Sequence, residues 1–582
     1  MSDLRSVIDV RIRVCRFLMI LSAAFLLLGL YFFQILHADK YVKLAWDNRL
    51  RLIRIPSSRG EIFDRNGSPL AVNITTFDIL GYPLDLEKPG MIERLSLVLN
   101  KHGFPIDPED LSATIKRQFW TPYRVVRVIT NLTLPQMADL VADPNFPTQC
   151  FPMAVWRRTY PAGSLVSNVL GYAGEISENE LRQKAQGEYL GGDRIGKGGI
   201  EAYYEQSLRG RAGEESIEVD ARGRRMRSID YRPPLRGQNI RLTLDLGAQR
   251  LAADLLKGLR GAVVVLDAQT GGVLVLCTSP SYDNNPLSWG ISAKEWSALT
   301  DDPLHPMMDR SISGVYPPGS TFKAMVALAA LEEKEVTTAT SFFCAGEFQL
   351  GTRTFKCWKR WGHGTVRLVT ALQDSCDVYF YQVGLRLGIN RLVEWGKRFG
   401  LGTRTGIDIP GEAEGNIAGI EWKKERFREP WYKGDTVNYS IGQGFLLMTP
   451  LQIARMYAFF ANGGRLVTPY LVESSKEPPV PIGHSPANLD VVRRGLQDVV
   501  RQGTGWRAGT YGVTVAGKTG TSQNAHGNDH ALFAGYAPAD RPRYVAVAVV
   551  EAGEHGSSVA SPIVGQVLSY LLVRDFPGDV VP

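Results

Sequence analysis

The chain opens with a polar, arginine-bearing segment and then turns apolar without a break. From Phe17 to Leu36 it reads FLMILSAAFLLLGLYFFQIL, interrupted only by Ser22 and Gln34. A helix rises about 1.5 Å per residue, so this run matches the roughly 30 Å of bilayer hydrocarbon. Arg5, Arg11, Arg13 and Arg16 precede it, which predicts a cytoplasmic N-terminus by the positive-inside rule. A cleaved signal peptide has an apolar core of roughly 7–15 residues followed by a small-residue cleavage site. Neither feature is present, so residues 17–36 read as an uncleaved anchor, with 1–16 inside and everything after about His37 outside the cytoplasm.

Beyond the anchor the pattern changes period several times. RGEIFDRNGSPLAVN (59–73) sets a D-R-N-G turn between apolar runs and predicts a hairpin. KPGMIERLSLVLN (88–100) has helical spacing behind a Pro-Gly break, and GIEAYYEQSL (199–208) is helical again. From Trp156 to Arg236 the chain is rich in Gly and Arg and predicts an extended, loop-rich module. GGDRIGKGG (191–199) imitates a phosphate-binding loop, but Gly198 stands where a metal-binding Ser or Thr is needed, and it reads as a turn.

From Asn239 the pattern is that of a second domain. IRLTLD (240–245) predicts an edge strand, LGAQRLAADLLKGL (246–259) a helix, and GAVVVLDAQTGGVLVLCTS (261–279) two apolar strands about a Gly-Gly turn. A helix-rich middle follows. Strands return in YGVTVAGKTGT (511–521) and YVAVAVVE (544–551), and SPIVGQVLSYLLV (561–573) closes with a helix. Strands at both ends with helices between predict an α+β domain whose antiparallel sheet, flanked by helices, is assembled from its first and last parts. The expected organisation is 1–16 cytoplasmic, 17–36 anchor, 37–236 pedestal with a head subdomain at about 80–155, 237–575 second domain, and 576–582 tail.

Composition narrows the class. At 582 residues, two or more folded units are expected. A net charge of +7, scattered along the chain, gives no basic patch for nucleic acid. Cys277 lies in an apolar strand and reads as core; His530, just before another, reads as a structural histidine at the edge of a cleft.

The chemistry lies in three short motifs of the second domain. In YPPGSTFK (316–323) a stiff Pro-Pro approach and Gly319 lead into a predicted buried helix starting at Ser320, with Lys323 on the same face one turn on. A serine hydroxyl needs a base, and a lysine serves only if its surroundings favour the neutral amine. The second motif is Ser375-Cys376-Asp377 before a helix. The third is Lys518-Thr519-Gly520-Thr521 ending a β run, which offers a cation and hydroxyls for a carboxylate, with Gly520 expected to let a substrate backbone approach. Alone, each is a common short match; in this order they are specific.

S-x-x-K, S-x-[ND] and K-T-G in this order resemble the penicillin-binding proteins and serine β-lactamases. The anchor, RGEIFDRNG and the membrane-proximal module resemble the class B, monofunctional transpeptidases. WRRTYPAGSLVSNVLGY (156–172), WYKGDTVNYSIGQG (431–444) and HALFAGYAP (530–538) resemble the elongation-type member. The resemblance implies a serine-type peptidoglycan D,D-transpeptidase of the periplasmic face of an inner membrane, acylated by β-lactams and needing no catalytic cofactor. It implies Ser320 as nucleophile, Lys323 as base, Ser375 as proton relay, Lys518 with Thr519 and Thr521 as carboxylate site, and the N–H groups of Ser320 and Thr521 as oxyanion hole. As partners it implies peptidoglycan stem peptides and a SEDS-family glycosyltransferase of the elongation machinery, regulated by the pedestal. Asp377 stands where asparagine is commoner; beside Lys323 it would favour the charged amine unless paired elsewhere. A D,D-carboxypeptidase or a β-lactamase-like acylase would use the same serine, although no dedicated deacylating base is identifiable.

Cys344, Cys357, His363 and Cys376 form a second constellation. Three sulfurs and an imidazole suit a structural tetrahedral Zn²⁺, with EFQLGTRTF predicted as a hairpin joining the first two. A Cys344–Cys357 disulfide with Cys376 as a buried thiol also suits an oxidising compartment.

Overall fold

The computed structural model describes residues 2–41, 43, 50–55, 57–117, 126–184, 188–189, 192–219, 225–524 and 527–579. Part of the stretch after the anchor, Gly191 of the glycine-rich loop and the end of the tail lie outside them. The apolar run forms the helix Ser2–Tyr31, continued by a π-helical turn at Phe32–Leu36. Ile8–Leu36 is long and apolar enough to cross a membrane, and none of it is buried against protein.

The chain divides into two compact units. One comprises the segments up to Arg59 and Arg209–Gly237; the other comprises Gly60–Leu208 and Gln238 onward. The first contains a three-stranded antiparallel sheet of Leu50–Ile55, Gly213–Val219 and Arg225–Arg232. Charge pairs such as Arg227 Nε with Glu218 Oε2, 2.7 Å apart, lie on this sheet.

The expected pedestal, 37–236, is thus shared between both units. The reason is a set of buried bonds between its middle part and the catalytic domain. Within the middle part itself, Arg158 Nε donates to Glu201 Oε1 at 2.6 Å, both side chains being almost fully buried, and the bonds to the catalytic domain start from the neighbouring backbone. The Tyr160 amide donates to Asn285 Oδ1, Asn284 Nδ2 to the Gly171 carbonyl, and the Trp289 indole to the Arg158 carbonyl. The D-R-N-G hairpin forms as predicted, Ile62–Phe63 pairing with Pro69–Gly81. The 191–199 turn is instead a strand, Arg194–Gly196, paired with Ala173–Glu175 and running directly into the helix Gly199–Tyr203.

The catalytic domain is built on five antiparallel strands: β1 (Gly261–Asp267), β2 (Val273–Ser279), β3 (Ala516–Ser522), β4 (His530–Ala537) and β5 (Tyr544–Val550), in the spatial order β2-β1-β5-β4-β3. An antiparallel sheet often leaves one face wet. Here both are covered, which is why β1 and β5 read as unbroken apolar runs. Val263, Val265, Ala546 and Ala548 face the helices α1 (Leu246–Leu255) and α6 (Ala560–Asp575). Val264, Leu266, Val545, Val547 and Val549 face a core that includes α2 (Lys323–Glu332), α3 (Asp377–Arg398), α4 (Pro450–Ala461) and α5 (Pro486–Arg501).

Three predicted elements end elsewhere than the pattern indicates. The edge strand at 240–245 is only Ile240–Arg241, and it pairs with Ile62–Phe63 rather than with the catalytic sheet. It stops there because the chain changes partner, Leu242 bridging Val472 and the Thr243 amide donating to the Leu471 carbonyl, before Asp245 caps α1 by accepting from the Ala248 amide at 3.0 Å. The helix ends at Leu255, not 259. The third strand starts at Ala516, not 511, because Val513 and Val515 spend their apolar side chains on the α6 side of the core and Ser569 of α6 donates to the Tyr511 carbonyl.

Removing one member of a buried ion pair strands the other, at about 3–5 kcal/mol. Glu201→Ala is therefore expected to lower the unfolding midpoint in urea or heat far more than Glu201→Gln; equal midpoints for Glu201→Ala and the parent protein would refute the assigned role of this pair.

Candidate active site

The first motif is held by backbone before any side chain acts. The Gly319 amide donates to the Gly442 carbonyl at 2.9 Å, Thr321 Oγ1 to the Pro318 carbonyl at 2.6 Å, and the Tyr457 hydroxyl to the Thr321 carbonyl at 2.9 Å. Ser320 lies in a 3₁₀ turn, Gly319–Phe322, and α2 begins only at Lys323. In 3₁₀ geometry positions i and i+3 eclipse, so the expected shared face survives the later helix start. α2 is buried from Lys323 to Leu331, four of its residues being alanines that admit close neighbours. Gly319 has φ +53°, and a Cβ there would lie 2.6 Å from the Thr521 carbonyl. The turn therefore sits directly against the free edge of β3.

Lys323 is fully buried, and its three ammonium protons have three acceptors. Nζ donates to Asp377 Oδ1 at 2.7 Å, to the Ser375 carbonyl at 2.9 Å and to Ser375 Oγ at 3.3 Å. Asp377 is thus paired with Lys323 itself. Its other oxygen accepts the Trp358 amide at 3.0 Å, and it opens α3, where the helix dipole favours a carboxylate. Ser375 adopts the left-handed region at φ +55°, a conformation costing on the order of 1–3 kcal/mol for a non-glycine residue. It directs both its carbonyl and its hydroxyl at Lys323. The Ser320 hydroxyl is half-buried and makes no hydrogen bond among the described residues.

The third motif brings a second buried cation. Lys518 Nζ donates to the Thr519 carbonyl at 3.2 Å and to Thr519 Oγ1 at 3.4 Å. Burial pushes its ammonium well below the usual lysine range; the Lys323 charge pushes further, and Asp377 and Asp374 oppose. Thr519 shares a hydrogen bond with Thr504, 2.7 Å between hydroxyls, and Thr521 is half-buried at the strand end. Gly520 has close neighbours in the protein itself. A Cβ there would meet Leu532 Cβ, the Pro318 carbonyl and Thr321 Cγ2, each at 3.1 Å, so the missing side chain lets β3 pack closely against the Ser320 turn. His530 stacks edge-on against Tyr316, and its Nδ1 lies 3.1 Å from the Ala552 amide, a structural position.

Two residues are absent from the sequence expectations. Gln443 donates to the Thr521 carbonyl at 2.9 Å and accepts the Gln523 amide at 3.3 Å, bracing the β3 edge at the mouth of a polar cleft that Asp529 also lines. Trp358 holds Asp377 through its main chain, which no side-chain pattern reveals.

The cysteine–histidine cluster lies beneath the second motif. The donor atoms of Cys344, Cys357, His363 and Cys376 all fall within 4.8 Å of one another. His363 Nδ1 is 3.6 Å from the sulfurs of Cys344 and Cys357. Zn–S and Zn–N bonds of about 2.3 and 2.0 Å at tetrahedral angles require a separation of about 3.5 Å. The predicted hairpin, Glu347–Leu350 with Arg353–Lys356, joins the first two cysteines, and no two cysteines are bonded.

Comparison with known proteins identifies the two domains. Residues 261–569 match the penicillin-binding protein transpeptidase domain, and residues 54–242 the penicillin-binding protein dimerisation domain. The chain belongs to the penicillin-binding protein transpeptidase family. The peptidoglycan D,D-transpeptidase MrdA of Haemophilus influenzae is 36% identical, over 96% of this chain and 91% of that one. PBP2 of Helicobacter pylori, solved in complex with MreC, superposes with a TM-score of 0.82 at 31% identity, covering 90% of this chain and 99% of that one. A chain from a peptidoglycan synthase complex, described as coordinating polymerization and crosslinking, gives 0.73 at 31% identity over 96% of this chain and 98% of that one. This penicillin-binding protein therefore has the two-domain fold of PBP2.

The buried Lys518 makes stability depend on pH. A lysine whose folded pKa is depressed binds fewer protons folded than unfolded, so stability is reduced at low pH and recovers as pH rises from the folded value toward 10.5. Lys518→Met is expected to raise the unfolding midpoint at pH 7, to narrow that gain toward pH 10, and to slow β-lactam acylation by about 30-fold or more. An unchanged acylation rate would remove Lys518 from the anion site.

Proposed function

We propose that this chain is a peptidoglycan D,D-transpeptidase of cell elongation that cross-links stem peptides through an acyl-enzyme on Ser320. The observation that carries the reading is the complete satisfaction of Lys323 by Ser375 and Asp377, one turn from a Ser320 hydroxyl left unbonded. Ser320 Oγ attacks the carbonyl of the penultimate D-alanine; a C–O bond forms, the amide C–N bond breaks, and D-alanine leaves with a proton. Lys323 takes the serine proton. For that, its own extra proton must first move, and Asp377 Oδ1 at 2.7 Å is the group that can hold it. Ser375, bonded to the same ammonium, passes a proton to the leaving amine. Lys518 with Thr519 and Thr521 binds the terminal carboxylate, and the amides of Ser320 and Thr521 receive the oxyanion. In the second step an acceptor amine attacks the ester, the amide forms, and the proton returns to Ser320.

Cys344, Cys357, His363 and Cys376 hold a structural zinc ion in this reading. It takes no part in the chemistry; it braces the loop that carries Ser375 and Asp377. Residues 17–36 anchor the chain in the inner membrane, with 1–16 cytoplasmic and 237–575 periplasmic. Residues 37–236, including the head at about 80–155, act as the pedestal that regulates a SEDS-family glycosyltransferase. The likeness to a peptidoglycan synthase complex supports that role.

Intact-mass measurement after penicillin treatment, with peptide mapping, is expected to give one adduct on Ser320 and none in Ser320→Ala, with Lys323→Ala slowed by about 10²–10⁴-fold. An adduct mapped to another residue overturns the reading. Metal analysis is expected to give one zinc per chain, lost in Cys357→Ser and Cys376→Ser; a metal-free parent protein with a Cys344–Cys357 disulfide would exclude the ion.

A further inference from the structure

A solvent-facing patch beside the site has no use in the reaction as described. Along the hairpin strand and the loop after it, Trp358 and Trp361 are 58% and 84% exposed, and Arg353, Lys356, Lys359 and Arg360 are exposed between and beside them. The Arg360 guanidinium lies 5.2 Å from the centre of the Trp361 ring. None of Lys356, Lys359 and Arg360 forms an ion pair among the described residues, although Glu347 stands opposite Lys356 in the hairpin register. An indole buries about 150–250 Å² when covered. Two left in water, with unpaired cations, have the composition of a binding hot spot.

Through Trp358 the patch is tied to the loop that carries Ser375 and Asp377. The Trp358 amide donates to Asp377 Oδ2 and its indole to the Asp374 carbonyl, each at 3.0 Å, and its ring packs edge-on against His363. The Gly362 amide closes the loop onto the Lys359 carbonyl at 2.9 Å. A ligand on this face would lie along the loop that holds Ser375 and Asp377.

We propose that Trp358 and Trp361, with Lys356, Lys359 and Arg360, form a platform for the carboxylate-bearing glycan polymer whose stem peptides enter the site. The C–H faces of sugar rings are flat and apolar and suit an indole, and peptide carboxylates suit unpaired Arg and Lys. The inference rests on the transpeptidase reading. It adds a surface that retains the polymer beside the loop while successive stems react. A membrane surface also attracts tryptophan and basic residues. The hydrogen bonds that fix the patch to the catalytic loop favour the polymer.

The test uses the full chain in zwitterionic lipid nanodiscs, acylated with penicillin so that the cleft is blocked, and co-sedimented with purified insoluble peptidoglycan. Trp361→Ala, and separately Lys359→Ala with Arg360→Ala, are expected to weaken sedimentation by about 5–30-fold. Raised salt should weaken the parent protein more than the charge variant. Penicillin acylation rates should be unchanged. Variants that sediment like the parent protein while still forming the Ser320 adduct overturn the platform alone; loss of that adduct in the parent protein overturns the underlying reading. Hydrogen-exchange protection of 353–361 by anionic nanodiscs, with none from peptidoglycan, assigns the face to the membrane and likewise overturns the proposal.

Discussion

A lysine ammonium with no contact to water must find acceptors for all its protons, and the catalytic domain is arranged around meeting that demand for Lys323. The acceptors come from one short loop, through the Ser375 carbonyl and hydroxyl and the Asp377 carboxylate. Ser375 reaches with both groups only because its backbone turns left-handed. Asp377 is held in turn by the α3 N-terminus and the Trp358 amide. Shifting the loop by an ångström would leave a buried cation unsatisfied, a loss of several kcal/mol. The loop is therefore fixed by the same interaction that makes it useful.

Lys518 enters the same buried region without an equivalent set of partners. Its contacts with Thr519 are long, and the Lys323 charge adds to the penalty of burial. Such a group is left with a charge that its own surroundings only partly satisfy. The fold tolerates it because β3 is pinned along its free edge, by Gln443 and by the turn at Gly319. The two buried lysines thus differ in how fully their surroundings satisfy them.

The sulfur–imidazole cluster and the exposed tryptophans belong to the same structural arm. Cys376 lies between Ser375 and Asp377, and Cys357 is next to Trp358. Ordering the hairpin around the cluster fixes the Trp358 amide, and that amide fixes Asp377. The hairpin thus reaches the carboxylate paired with Lys323 through a single main-chain bond.

Much of this was legible in the residues alone. The three motifs, the hairpin between Cys344 and Cys357, the apolar runs of β1 and β5 and the membrane helix are all local patterns. Local pattern reports which face a side chain takes and where a turn is affordable, because those depend on the nearest few residues. It did not report that Asp377 pairs with Lys323, that Gly520 opens toward the Ser320 turn, that Gln443 braces the β3 edge, or that residues 60–208 share a compact unit with the catalytic domain. Each is a contact between segments tens to hundreds of positions apart, set by how the sheet and helices close on one another. The sequence by itself determined which chemical groups were present and their order; only the tertiary structure decided which of them touch, since a buried charge selects its partners from whatever the packing brings within about 3 Å.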